Sequence, residues 1–110
     1  MIYEHRTYTT RPWKLKTQLD LYEKHGLPVI ARHYGYPVLV GVQEDGDVNS
    51  YIHIYAFENF EDRMRKQAAM RADTEMQAYI GMLREADTIV KQECRFLLPP
   101  AFFKPGGGNH

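Results

Sequence analysis

The sequence has little of several features that define whole classes of protein. Cys94 is the single cysteine among 110 residues, so no intrachain disulfide and no cysteine-based zinc site can form, and we expect a reducing compartment. No run of residues approaches the roughly 20 apolar residues of a membrane span. Residues 1–10 also lack the basic start and apolar stretch of a secretory signal. We therefore expect a cytoplasmic protein that does not enter a membrane.

Neither sign of charge is in excess, because 14 Lys and Arg residues balance 14 Asp and Glu residues. Nucleic acids and acidic membranes are bound by clustered positive charge, so we expect neither as a partner. A neutral protein has little net repulsion between its copies, which leaves self-association open.

Motifs for metal and phosphate chemistry are also missing. The histidines at 5, 25, 33 and 53 form no HExxH motif and no i, i+4 pair on a helix. No glycine-rich phosphate loop precedes a helix, and no Ser/His/Asp order stands out. We predict neither a metal nor a cofactor.

What the sequence does contain is a nine-residue run, 49–57, that alternates between two kinds of side chain. One face carries Asn49, Tyr51, His53, Tyr55 and Phe57, and the other carries Ser50, Ile52, Ile54 and Ala56. A period of two in aromatic and β-branched residues predicts a strand between two different environments. The small aliphatic face is suited to packing under helices. We therefore predict that the tyrosine-rich face is turned away from the helices, towards a lined cavity or a second sheet.

The remaining patterns predict two successive β-α-β units. Strands are predicted at 2–8, 38–44, 49–57 and 88–98, and helices at 13–25, at 29–34 and in a region after Asn59 that splits near 72–73. Gly26-Leu27-Pro28 must bend or break the first helix, because Pro28 donates no backbone hydrogen bond. This order predicts an α+β, ferredoxin-like domain over residues 1–105, with a four-stranded antiparallel sheet and helices on one face. Residues 106–110 are predicted to be a flexible glycine-rich tail.

Three further residues carry local predictions. Gly41 lies inside the second strand, which predicts a β-bulge or the close approach of another group. The basic cluster that begins at Arg63 predicts a solvated helix face, and Cys94 is expected to be a core thiol.

The bare face of such a sheet predicts a partner, because a large apolar patch on a small domain is usually covered. The simplest partner is a second copy, sheet to sheet, which closes a barrel with two-fold symmetry. In the ferredoxin-like order the first strand lies beside the third. This predicts that Glu4, Arg6 and Tyr8 lie near Tyr51, His53 and Tyr55.

Several blocks of the sequence resemble one family. They are Tyr3-Glu-His-Arg-Thr-Tyr8, Pro12-Trp-Lys-Leu15, His25-Gly-Leu-Pro28, the strand 49–57 with its histidine, 73–80, and Gln92-Glu-Cys-Arg-Phe-Leu97. In this order, over about residues 2–103, they are similar to NIPSNAP-family domains. The resemblance implies a dimeric α+β barrel and little about chemistry. The related barrel superfamily includes cofactor-independent monooxygenases, decarboxylases and isomerases, which is analogy at the level of the fold.

Each candidate site residue has a functional and a structural interpretation. His53 is a candidate general base, or a hydrogen-bonded histidine inside the dimer. Glu4 and Arg6 could orient an anionic ligand or tune a base, or could form a structural ion pair. The tyrosines Tyr8, Tyr51 and Tyr55 could line a ligand pocket, or could pack with satisfied hydroxyl groups.

Two hypotheses for function follow. The first is a homodimeric small-molecule-binding or interaction module, with a cavity between sheet and helices or inside the barrel. The alternative is a cofactor-independent enzyme that acts on a small aromatic or carbonyl compound, with His53 as base and Arg6 and the tyrosines as orienting groups. In the second case His53→Ala would abolish turnover without disturbing folding or dimerisation.

Overall fold

The computed structural model describes residues 1–105, and a four-stranded antiparallel sheet runs through them. The elements are β1 (Ile2–Thr10), α1 (Leu15–Leu21), a π-helical turn (Tyr22–Gly26), α2 (Leu27–Tyr34), β2 (Leu39–Val42), β3 (Ser50–Phe57), α3 (Phe60–Arg71), α4 (Thr74–Ala86) and β4 (Ile89–Leu97). The strands are arranged in the order β2-β3-β1-β4. The predicted ferredoxin-like α+β fold is therefore confirmed.

The first helical region does not break at Pro28. Instead the helix widens into the π-helical turn, in which the Leu27 N–H donates to the Tyr22 carbonyl oxygen, five residues back. Pro28 follows in the first turn of α2, where it can donate no hydrogen bond to the preceding turn, and the π-helical spacing just before it accommodates this loss. The wide turn thus joins α1 and α2 without a gap. It also brings Gly26 against the ring of Tyr79 in α4, where a Cβ atom would lie 2.4 Å from the ring carbon Cζ.

The second helical region is split where the sequence indicates. The Asn59 side chain accepts a hydrogen bond from the Asp62 N–H at 2.8 Å and caps α3. Asp73 accepts one from the Glu75 N–H at 2.9 Å and caps α4. Asp73 also joins α4 to α2, because its carboxylate lies 2.8 Å from His33 Nε2 and 2.6 Å from Arg32 Nη2. These hydrogen bonds from His33 and Arg32 hold the pKa of Asp73 below its usual value.

The prediction that the tyrosine-rich face of β3 is turned away from the helices is wrong. Tyr51, Tyr55 and Phe57 are almost fully buried, and the Tyr55 hydroxyl lies 2.7 Å from that of Tyr22 in the π-helical turn. Ile52 and Ile54 lie on the opposite, half-exposed face. The physical reason is volume and polarity together: large rings fill the gap between sheet and helices, and helix residues satisfy their hydroxyl groups.

The core between the two layers combines these rings with apolar helix residues. Its buried members are Tyr22, Val29, Ile30, Tyr34, Tyr55, Phe57, Met70 and Tyr79. In α1, Leu15 and Leu19 lie at helical spacing with Tyr22 but are only half-buried, whereas Gln18 is buried. Aromatic residues of both layers therefore supply much of the core: Tyr55 and Phe57 come from the sheet, and Tyr22, Tyr34 and Tyr79 come from the helical layer.

The other face of the sheet is not covered by helices. We call it the open face; β1 contributes His5 and Thr7 to it, opposite Ile54 and Ile52 of β3. One end is covered by the segment after β4, where the Phe103 ring packs against Tyr3 with 6.1 Å between centroids. The rest of this face is unoccupied by any part of the chain that the structure describes.

Three local predictions are corrected by the structure. Gly41 lies in regular pairing with Ile52, and no described atom comes within 4 Å of a Cβ built on it. Arg63 is buried rather than solvated, at 8% exposure, because it pairs with Glu4. Cys94 is exposed rather than in the core, because it lies on edge strand β4, which is exposed along nearly its whole length. The predicted flexible tail, 106–110, lies outside the described residues.

Within residues 1–105, every helix is too short or too polar to cross a bilayer.

Candidate functional site

A cavity of about 610 Å³ lies between the sheet and helices α2, α3 and α4. Its volume is within the range of ligand sites, roughly 300–1,000 Å³. The sheet contributes Arg6, Tyr8, His53, Tyr55 and Gln92 to its wall. The expected cavity between sheet and helices is therefore present, and four of the six predicted site residues line it.

The floor of the cavity is set by the register of β1 and β3. Arg6 is paired with His53, Tyr8 with Tyr51, and Glu4 with Tyr55, so all six predicted residues share one face, as the sequence analysis expects. Side chains directly opposite each other on neighbouring strands lie about 5 Å apart at Cβ. The register therefore brings a guanidinium, an imidazole and three phenol rings together on one surface.

His53 lies inside a box of aromatic rings. The centroid of its ring is 5.0 Å from that of Tyr55, 5.1 Å from Tyr8 and 5.4 Å from Tyr22. The residue is 3% exposed, and burial, with the Arg6 charge as a second cause, lowers the pKa of His53 to about 3. The imidazole is consequently neutral near pH 7.

Three buried polar atoms on the cavity side of the sheet have no hydrogen-bond partner among the described residues. They are His53 Nδ1, Arg6 Nε and the Tyr34 hydroxyl oxygen. Burial, together with the Glu4 carboxylate, raises the pKa of Tyr34 to about 12, so its hydroxyl keeps its proton. Buried polar groups are normally satisfied, and leaving one unpaired costs about 1–3 kcal/mol. The three residues that carry these unpaired atoms all line the cavity, although the atoms themselves have almost no accessible surface.

Glu4 does not line the cavity; it lies in the sheet beneath α3. Its carboxylate is fully buried and accepts hydrogen bonds from Arg63 Nη2 at 3.3 and 3.4 Å. Arg6 Nη1 is further away, at 3.7 Å from Glu4 Oε1. The Glu4 carboxylate thus lies between the guanidinium groups of Arg6 and Arg63. This is the structural ion pair that the sequence analysis considered for Glu4 and Arg6, with Arg63 as a third member.

Two of the predicted tyrosines have their hydroxyl groups engaged. Tyr51 accepts a hydrogen bond from Gln18 Nε2 at 3.0 Å, and its ring stacks on Tyr8 with 5.2 Å between centroids. The Tyr55 hydroxyl is paired with that of Tyr22. Tyr51 therefore packs beside Tyr8 on the same face of the sheet without lining the cavity, whereas Tyr55 presents its ring to the cavity.

The helices contribute a set of lining residues that the sequence analysis did not identify. They are Ile30, Tyr34, Gln67, Met70, Arg71, Met76, Ile80, Leu83 and Arg84. The spacing of four between Ile30 and Tyr34 is a helical-face signal that could have found Tyr34. No local pattern indicates that Arg71 and Arg84 border the same cavity, because this depends on how α3 and α4 sit over the sheet.

Among residues 1–105, no three side chains of His, Cys, Asp or Glu are placed to hold a metal ion. The expectation of no metal and no cofactor stays a prediction. Partial burial of the Cys94 thiol and the nearby Glu4 carboxylate raise the pKa of Cys94, which is the opposite of what an activated thiol nucleophile needs.

Fold and site together define a ferredoxin-like α+β domain with a partly open cavity between its two layers, polar on the side of the sheet. Comparison with family models gives a match to NIPSNAP over residues 3–104. The chain belongs to the NIPSNAP family. The resemblance noted in the sequence is thus confirmed over nearly the whole chain.

Solved structures of this family are similar throughout. A NIPSNAP domain protein from Burkholderia xenovorans is 28% identical with a TM-score of 0.88, and the match covers 94% of this chain and 99% of that one. A NIPSNAP family protein of unknown function from Agrobacterium tumefaciens is 28% identical with a TM-score of 0.87, covering 96% and 93%. A comparison with functionally curated proteins gives no significant match.

The wider fold is shared with a second group. A candidate antibiotic biosynthesis monooxygenase from Nitrosomonas europaea aligns with a TM-score of 0.64, covering 90% of this chain and 98% of that one, at only 9% identity. At this identity the likeness shows the fold alone.

Proposed function

We propose that this protein is a small-molecule-binding module whose site is the cavity between sheet and helices. The observation that carries the proposal is a cavity of about 610 Å³ whose lining includes His53, Arg6 and Tyr34, each of which carries a buried polar atom without a described partner. A small rotation of these side chains would turn the atoms towards a ligand, and a ligand that then satisfied them would recover the cost of burying them. His53, Arg6, Tyr8 and Tyr55 are the proposed contacts, and Glu4 and Tyr51 are proposed to hold them in place.

The alternative function, catalysis with His53 as general base, is weakened by electrostatics. A general base works best when its pKa is near the operating pH, whereas burial lowers the pKa of His53 to about 3. An imidazole of that kind is a hydrogen-bonding group and a weak base. We therefore propose that His53 orients a ligand and does not take a proton from it.

The binding proposal is tested with a set of anionic, cationic and neutral fragments under about 200 Da, and their binding is monitored by protein NMR. Met76→Trp is designed to fill the cavity from α4, while Met82→Trp on the same helix points to a separate depression and serves as the matched control. We expect at least one chemical class of fragment to shift the NMR resonances of cavity residues in the parent protein and in Met82→Trp, but not in Met76→Trp. Fragments that bind Met76→Trp equally well, or none that reaches the cavity, would contradict the proposal.

We also propose that the protein is a homodimer that pairs through the open face. The tyrosine-rich face cannot serve, because the helices cover it. Ile54 lies at the centre of the open face, between His5 and Leu39 on the neighbouring strands, and zero formal net charge places little repulsion between copies.

For the location of the protein we propose the cytoplasm. Its single cysteine is a free thiol that needs no oxidising compartment, which supports this proposal.

The dimer is tested by sedimentation velocity on the parent and on Ile54→Lys. A charge at the centre of the interface should give monomers, because burying it without a partner is costly. Thr17→Lys, on an exposed position of α1, should leave the mass unchanged. A monomeric parent protein would refute the dimer.

A further inference from the structure

The cavity carries an excess of positive charge. Arg6 on the floor, Arg71 at the end of α3 and Arg84 in the last turn of α4 all line it, and Asp87 is the one carboxylate in the described lining. Asp87 is already paired, since both of its oxygens accept hydrogen bonds from Arg11 Nη2 at 3.1 and 3.2 Å. The lining therefore holds three guanidinium groups and no free carboxylate among the described residues.

Arg6 is the cation placed deepest, and it is only loosely engaged. Its closest carboxylate oxygen, on Glu4, is 3.7 Å away and is shared with Arg63. Its Nη2 donates one long bond, 3.4 Å, to Gln92, and its Nε has no partner. A guanidinium has five N–H donors in a planar fork that suits a carboxylate. Arg6 thus retains donors for a second anion.

The neighbouring polar groups are also able to donate. The neutral His53 ring carries one N–H, and its Nδ1 side is unused. The Tyr34 hydroxyl keeps its proton and has no described partner. An anion beside Arg6 could accept from either group, whereas a cation would meet three positive charges.

The remaining wall is apolar. Ile30, Met70, Met76, Ile80, Leu83 and Ile89 line it, from α2, α3, α4 and the start of β4. A purely ionic ligand, such as inorganic phosphate, would leave this surface without contacts. The combination of a charged floor and an apolar roof is what an amphipathic small molecule needs.

Building on the proposed function, we propose that the ligand of this cavity is a small carboxylate with an apolar body. Its carboxylate binds Arg6 beside His53 and Tyr34, and its body packs against Met76, Ile80 and Leu83 of α4. Arg71 and Arg84 at the mouth draw the anion in and add a smaller part of the affinity, because their charges are exposed and screened.

The test compares 3-phenylpropanoate with 3-phenylpropanamide, which have nearly the same shape and differ in charge. Binding at the floor is followed by fluorine NMR with a trifluoromethyl tag on Cys94. This residue is the only cysteine, is exposed and is paired with Arg6 on the neighbouring strand. Titration calorimetry on the untagged protein gives the affinities. We expect the acid to bind roughly 10-fold tighter than the amide or more, the typical value of a charge-assisted hydrogen bond.

Three variants then separate the site from general surface charge. Arg6→Gln should lower the affinity for the acid about 10-fold or more and that for the amide less than about two-fold. Arg84→Gln, which removes an exposed charge and leaves the core untouched, should lower the affinity for the acid about two- to three-fold. Lys14→Gln is the matched control, because Lys14 is exposed and lies outside the cavity wall. This variant should change neither the affinity for the acid nor that for the amide.

The outcomes distinguish this inference from the proposed function. If acid and amide bind equally and both shift the tag, the cavity binds small molecules but the preference for an anion is refuted. If Lys14→Gln lowers the affinity for the acid as much as Arg84→Gln does, and Arg6→Gln has no effect on it, the acid binds to surface charge and the inference is again refuted. If neither compound binds, the inference fails, while the fragment set with Met76→Trp still decides whether the cavity is a site at all.

Discussion

The hydroxyl group of Tyr22 lies 2.7 Å from that of Tyr55, with the first on the π-helical turn and the second in the middle of β3. This single bond ties the helical layer to the sheet through two buried phenols. Burial raises the pKa of both groups, and their hydrogen bond further raises that of Tyr22. Both hydroxyls consequently remain protonated near neutral pH, and one donates to the other.

The first prediction concerns this pair. Tyr22→Phe and Tyr55→Phe should each lower the free energy of unfolding by about 1–2 kcal/mol, because each leaves the other hydroxyl buried and unpaired. The double variant should lose less free energy of unfolding than the two single variants together, since it leaves no hydroxyl group buried and unpaired. Urea denaturation of the four proteins gives the coupling energy. Tyr36→Phe, at an exposed hydroxyl, is the control, and strictly additive losses would show that the bond contributes nothing.

A second prediction concerns the buried carboxylate of Glu4. Glu4→Ala should lower the free energy of unfolding by about 3–5 kcal/mol, because it leaves the Arg63 guanidinium buried without an anion. Glu4→Leu combined with Arg63→Met should recover most of this loss, since it removes both charges and keeps the volume. The comparison pair is Lys16 and Asp20, an exposed i, i+4 ion pair, where Asp20→Ala should cost less than about 0.5 kcal/mol. Equal losses at the two sites would contradict the role given to Glu4.

Gly26 provides a third test, because the close approach of Tyr79 leaves no room for a side chain. Gly26→Ala places a Cβ 2.4 Å from the Tyr79 ring and should be destabilising by about 1–3 kcal/mol, the usual cost of overpacking. Gly81→Ala in α4 meets no described atom within 4 Å, so it should be stabilising by up to about 1 kcal/mol through helix propensity. Thermal unfolding of both variants checks the contrast, and the same sign of change in both would refute it.

The fourth prediction is a pH dependence that arises from His53. The unfolded chain takes up the proton near pH 6.5, whereas the folded protein resists it down to about pH 3. Stability should therefore fall as pH drops through this window, by up to about 1.4 kcal/mol per pH unit from this group. Arg6 and the tyrosines around the ring remain in the same charge state throughout, and His5 on the neighbouring strand is a further, smaller cause of the lowered pKa.

His53→Gln tests this slope directly. Its free energy of unfolding should depend less steeply on pH between about 3 and 6.5 than that of the parent, whatever its value at pH 7. His25→Gln, at an exposed histidine, should keep the slope of the parent. If both variants keep the parent slope, His53 titrates normally, and it cannot be the neutral hydrogen-bonding group proposed here.

The sequence by itself determined the order of the elements and the members of the sheet face. Alternation in 49–57 marks β3, helix caps at Asn59 and Asp73 mark α3 and α4, and the β-α-β order places β1 beside β3. These signals are local, because strand periodicity and capping depend on neighbouring residues and on backbone hydrogen bonds. The grouping of Glu4, Arg6 and Tyr8 with Tyr51, His53 and Tyr55 follows from them.

Only the tertiary structure decided which side of the sheet the helices cover. Alternation defines two faces but carries no information about which of them is covered. The choice depends on whether Gln18 of α1 and Tyr22 of the π-helical turn meet the hydroxyls of Tyr51 and Tyr55. The burial of Arg63 and the gathering of Arg71 and Arg84 around the cavity depend in the same way on how α3 and α4 pack. Side-chain partners far apart in the chain are set by packing between layers, which no local pattern contains.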